Sequence, residues 1–119
     1  MKILIPLVFA VNTLVVSSVV KFEQFSLSGY KFFTVTSAPR EDRVGTLYDR
    51  FANGITPATK ASDVSVKNVN KSWCVMLHDK VLVTVTKSDS NFHKTPAKKL
   101  AETWAKNLSD KIEELTPLQ

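Results

Sequence analysis

The chain has 119 residues, a single cysteine and a formal net charge of +5, from 16 Lys+Arg against 11 Asp+Glu. That length holds one small domain, and a lone cysteine excludes an intrachain disulfide. Charges of both signs are interspersed, and the aromatics Phe33, Phe51, Trp73 and Trp104 fall on predicted core stripes rather than between cations, so no nucleic-acid partner is expected.

Residues 1–20 stand apart as a signal peptide or membrane anchor. Met1-Lys2 precedes Ile3–Val20, which contains no charged residue. A cationic start followed by an apolar run is the pattern of an export signal. Val16-Ser17-Ser18 is the nearest substitute for an Ala-x-Ala cleavage site. An uncleaved anchor is the alternative, because 18 residues at about 1.5 Å each reach about 27 Å, close to a bilayer core. Pro6, Asn12, Thr13, Ser17 and Ser18 make it a poor span, and a buried apolar segment is the third alternative. The first two place the domain outside the cytoplasm, exported to a periplasm or lumen or anchored facing outward. Without this segment the charges are 15 basic against 11 acidic, a net of +4.

The domain is expected over residues 27–116. Lys21–Ser28 reads as a polar and aromatic lead-in, with a turn signal at Gly29. Lys31–Thr36 reads as a strand with Phe33 and Val35 facing the core. A helix follows, with Ser37 as cap and Pro39 in the first turn, running to about Ala52. Val44, Leu47, Tyr48, Phe51 and Ile55 form its apolar stripe, and Gly54 fits a left-handed stop. Arg40, Arg43 and Arg50 occupy its other positions and read as surface ion pairs, Arg43 with Asp49 or Glu41. Thr56–Ser62 is a loop. Asp63–Val69 is a strand with Val64 and Val66 inward and Ser65 and Lys67 outward.

Trp73–Thr86 is a hairpin around His78-Asp79, with Asp79 suited to a left-handed turn position. Trp73, Val75 and Leu77 share a face, and Val81, Val83 and Val85 form the core face, leaving Thr84 and Thr86 on the wetter side. Lys87–Lys94 reads as a polar loop. Thr95 caps the last helix and Pro96 opens it. Its stripe of Ala97, Leu100, Ala101, Trp104, Leu108, Ile112 and Leu115 is nearly unbroken up to Pro117, with Trp104 set against the valine face. The order β-α-β-β-β-α predicts an α+β fold, a small mainly antiparallel sheet with two helices on one face.

Several of these residues carry a resemblance. They are Gly29-Tyr30-Lys31-Phe32-Phe33-Thr34-Val35, Arg40 and Arg43, Leu82–Asp89, Thr95-Pro96, Leu100-Ala101 and Trp104. From Leu27 to Leu115 the chain resembles the extracytoplasmic N-terminal domain of cyanobacterial proteins of the small-conductance mechanosensitive channel class. No membrane helices follow the domain before Gln119. The resemblance therefore implies an exported accessory or sensing module, cyanobacterial in type, and not a channel, and it offers no catalytic residues.

No catalytic residue, cofactor or metal site is predicted. His78, His93, Cys74 and Asp79 lack zinc-type spacing. Cys74 and His78 have no third orienting group, and Cys74 reads as a small buried thiol, or, if exposed, as a partner in an intermolecular disulfide. There is no Gly-rich phosphate loop and no Ser-His-Asp order. Asn70-Lys71-Ser72 and Asn107-Leu108-Ser109 match the glycan acceptor pattern.

Charge placement is the remaining signal. Lys94, Lys98 and Lys99 crowd the start of the last helix and Glu113 and Glu114 its end, each placement opposing the helix dipole by roughly a few tenths of a kcal/mol. A solvated face explains this; so would an anion or headgroup site at the helix start, or pairing with an antiparallel copy in a homodimer. The second candidate surface is the sheet face with Ser65, Lys67, Thr84 and Thr86, whose edges also allow strand addition. The expected function is an exported, non-catalytic module binding a protein partner or a membrane surface. The alternatives are a membrane-anchored accessory subunit of a larger assembly, and a small-ligand binder with a pocket between sheet and helices. Two or more titratable residues lining such a pocket would favour the last.

Overall fold

The structure, a computed structural model, describes residues 22–37 and 43–115. The N-terminal segment, the expected opening turn of the first helix with Pro39, Arg40, Glu41 and Asp42, and Pro117 lie outside the described residues.

The fold is α+β, and its strands form two antiparallel sheets rather than one. The first is a hairpin of β1 (Phe22–Leu27) and β2 (Tyr30–Thr36). The second is a meander of β3 (Val64–Val69), β4 (Ser72–Leu77) and β5 (Lys80–Thr84). Four α-helices complete the described residues: α1 (Arg43–Gly54), α2 (Lys87–His93), α3 (Ala97–Ser109) and α4 (Ile112–Leu115). Helix α1 packs on β1, β2 and β5, and α3 packs on β2, β3 and β4, so each helix bridges the two sheets.

The lead-in before Gly29 is thus a strand, and the domain includes Phe22. Its polar residues hid the pattern: Phe22, Glu23 and Gln24 are exposed, and Phe25 alone is fully buried. Phe25 centres the aromatic core, with ring centroids 5.7 Å from Phe32, 5.2 Å from Phe33, 4.9 Å from Tyr48 and 5.7 Å from Phe51.

Each sheet carries a bulge that the alternation of side chains did not announce. The first interrupts the β1–β2 register at Phe25/Ser26, the second the β4–β5 register at Val75/Met76. A bulge sets two residues against one and re-aims the strand. Consecutive side chains are buried as a result: Phe32 with Phe33, and Leu82 with Val83. Val81 is only half-buried, so Val81, Val83 and Val85 do not make one uniform core face.

The turns also differ in detail. His78, not Asp79, takes the left-handed backbone of the β4–β5 turn, with φ 57°. Gly54 is not left-handed; a Cβ there would come within 3.0 Å of Leu77 Cδ2, so its small size serves packing between α1 and β4. The expected long last helix breaks at Asp110–Lys111 into α3 and α4. Pro96 occupies the cap position of α3, while Thr95 Oγ1 donates to His93 O at 2.9 Å. Trp104, 2% exposed, stacks on Phe33 at 4.7 Å and 14° between planes, which ties α3 to β2.

Candidate functional site

The most connected polar centre lies inside the fold. Lys87–His93 is a helix because Thr86 and Asp89 cap each other: Asp89 N donates to Thr86 Oγ1 at 3.1 Å and Thr86 N to Asp89 Oδ2 at 2.9 Å. Asp89 is wholly buried. Arg43 grips it with both arms, Nη1 to Oδ1 at 2.9 Å and Nη2 to Oδ2 at 2.7 Å. Thr36 donates to Oδ1 from its backbone N at 2.8 Å and its hydroxyl at 3.0 Å. The same guanidinium donates to Thr36 O and Thr84 O, both at 2.8 Å. Burial by itself raises the pKa of Asp89, but the hydrogen-bonded Arg43 and the amides of Thr36 and Thr86 outweigh it and hold the carboxyl below its ordinary value.

This corrects the reading of Arg43 as a surface residue paired with Asp49; Glu41, the other partner expected, lies outside the described residues. The Arg43 side chain is 13% exposed and its carboxylate lies 46 residues away in sequence. With Asp89 enclosed and both its oxygens bonded, the pair fastens β2, β5, α1 and α2 together. The spacing Thr86-Lys87-Ser88-Asp89 was the available sign of α2, obscured by the polar composition of the stretch.

His78, His93 and Cys74 are also engaged in the fold. His78 Nε2 lies 3.1 Å from Thr59 Oγ1 and its Nδ1 3.6 Å from Asp63 Oδ1, which holds the Thr56–Asp63 segment to the β4–β5 turn. His93 Nε2 donates to Thr34 O at 2.7 Å and sets its ring edge-on to Trp104. Cys74 is 1% exposed, 3.3 Å from Thr84 Oγ1. Among the described residues no group of three or more His, Cys, Asp or Glu is placed to hold a metal ion.

The charged residues singled out in the sequence are dispersed. Lys94 ends α2 in a left-handed conformation, φ 53°. Lys98 reaches over the Trp73 ring at 5.3 Å. Lys99 is exposed, in a first turn of α3 that has no acidic residue and no side-chain cap. Glu113 and Glu114 do not end a long helix. They lie in α4, where Glu113 Oε2 accepts from Ala61 N at 3.1 Å and Glu114 Oε1 from the Tyr30 hydroxyl at 3.0 Å. Ser65 and Lys67 are exposed, whereas Thr84 and Thr86 are half-buried and hold α2 and Cys74. Asn107 Nδ2, the atom a glycan would take, donates to Phe32 O at 2.8 Å.

A cavity lies between α1 and the β4–β5 hairpin. It has a volume of about 270 Å³ and is lined by Arg50, Asn53 and Gly54 of α1 and by Leu77, Lys80, Val81 and Leu82 of the β4–β5 hairpin. Its floor is apolar. Arg50 and Lys80 at its edge are exposed and make no ion pair among the described residues. Such a site suits an anionic head on an apolar body.

The sequence profile of a family described as Domain of unknown function (DUF8459) matches residues 24–115, which runs from within β1 through α4. No curated protein and no solved structure matches the chain.

Proposed function

We propose, from the premise that this chain belongs to the DUF8459 family, that it is an exported, non-catalytic module that binds a membrane surface or a protein partner outside the cytoplasm. The observation that carries the reading is the uncharged run Ile3–Val20, separated only by Lys21 from the first strand of the domain. The interior supports it, because Asp89 and Arg43 are bonded to one another and to the backbone rather than presented to a substrate. An accessory or sensing role, which the resemblance to a channel-associated domain implies, belongs to the same reading.

The test is to express the full chain in its native type of host and measure the mass and fractionation of the product. A soluble extracytoplasmic species starting near Val19 identifies a free-standing module. A membrane-bound species retaining Met1 identifies an anchored accessory subunit. A soluble, uncleaved cytosolic product overturns the proposal.

The cavity at Arg50 and Lys80 favours a second reading, a binder of small anionic amphiphiles, since two titratable residues line it. Titration calorimetry with decyl phosphate tests it. Binding that is lost in the Arg50→Ala, Lys80→Ala double variant supports the ligand site, and no heat in the parent chain removes it.

A further inference from the structure

We infer that the Phe22–Phe92 ring pair is the membrane-interface contact of this domain, seating it on the bilayer surface from which its N-terminal run emerges. The inference rests on the proposed export, in its anchored form.

Phe22 is 58% exposed and Phe92 42%, and they are the exposed large hydrophobics among the described residues. Single exposed apolar side chains are ordinary on a protein surface. These two come from the first residue of β1 and the last turn of α2, yet their ring centroids stand 4.9 Å apart. The patch is also held in place. Three residues before Phe92, Asp89 is gripped by Arg43 and Thr36; one residue after it, His93 donates to Thr34 O. A fixed pair of rings with lysines close by in sequence suits the headgroup layer, where aromatic side chains accumulate and lysines meet anionic lipid. Lys94 is exposed two residues after Phe92, and Lys21 immediately precedes Phe22.

Chain length selects the membrane over a protein partner. The uncharged run ends at Val20, two residues before Phe22. Two residues reach about 7 Å when fully extended. The headgroup layer is itself about 5–8 Å thick on each side of the hydrocarbon core. If Ile3–Val20 spans the core, as the anchored reading has it, Phe22 falls within or at the edge of that layer, and Phe92 is carried there with it.

The full chain carrying Phe92→Trp, reconstituted into vesicles of phosphatidylcholine and phosphatidylglycerol, tests this against the parent chain as baseline for Trp73 and Trp104. Phe22→Trp is the parallel variant. The added indole is expected to emit blue-shifted, to lose most of its quenching by aqueous iodide, and to be quenched by lipids brominated near the glycerol end of the acyl chains. An indole still open to iodide, in a chain that resists alkaline extraction from the vesicles, overturns the inference while leaving the anchored reading intact. An indole shielded from iodide but untouched by brominated lipid also overturns it, because a second copy, the N-terminal run or another protein then covers the pair. A product cleaved near Val19, or a chain that alkali extracts, removes the anchored reading and the inference with it.

Discussion

Asp89 shows most directly how one buried side chain organises its surroundings. Its carboxyl is held below its ordinary value, so its stabilising contribution is fully present above about pH 4 and is lost as pH falls through the lowered folded value. Asp89→Asn removes the carboxylate that Arg43 grips with both arms, and breaking a buried pair costs about 3–5 kcal/mol. Urea unfolding at pH 7 should show that loss, and the gap between variant and parent should narrow in acid. Tyr48 is a second case. Its hydroxyl donates to Ser26 O at 2.9 Å and accepts from Ser26 N at 3.0 Å, satisfying both backbone groups of Ser26 where the register shifts at Phe32 of β2. Tyr48→Phe should therefore destabilise by roughly 1–3 kcal/mol, although it removes one atom from a residue that reads in sequence as part of an apolar stripe. Neither role was legible locally. Arg43 and Asp89 are far apart in the chain, and a hydroxyl on a hydrophobic stripe does not say which strand it will meet.

Among the elements, the long core helices were readable and the short ones were not. The spacing of Leu47 and Phe51, and of Leu100, Trp104 and Leu108, repeats at helical period, and all five are buried. Helix α2 has seven residues and depends on its caps rather than on a stripe. The start of α3 remains electrostatically unfavourable, with Lys98 and Lys99 in its first turn and no acidic residue there. The two lysines are not equivalent. Lys99→Glu should stabilise by about 0.3–1 kcal/mol through the helix dipole. Lys98→Glu should gain less or nothing, because it also forfeits the contact with Trp73, worth about 0.5–1 kcal/mol at an exposed site. Thermal melting of the two single variants separates these effects.

At the scale of the molecule, two small sheets behave as one unit because α1 and α3 each touch both. Trp104 stacks on Phe33 of the first sheet while its helix lies on β3 and β4 of the second. Trp104→Ala should cost about 3–5 kcal/mol and lower the protection of both sheets together in native-state hydrogen exchange. Loss confined to one sheet would show that they unfold separately. The same integration carries the surface argument, since Phe22 and Phe92 meet only because β2 and α2 are pinned side by side.

The sequence by itself determined the α+β class, the strands β2 to β5, the core helices and the uncharged N-terminal run, because hydrophobic period and charge are local properties of the chain. It could not determine that the strands divide into two sheets, that two bulges bury Phe32 with Phe33 and Leu82 with Val83, or that Arg43 meets Asp89. Those depend on contacts between residues distant in sequence. Tertiary packing decides which polar atoms are enclosed, and enclosure makes a partner obligatory. For the same reason Tyr48, Asn107 and His93 end on backbone atoms that no pattern of spacing identifies.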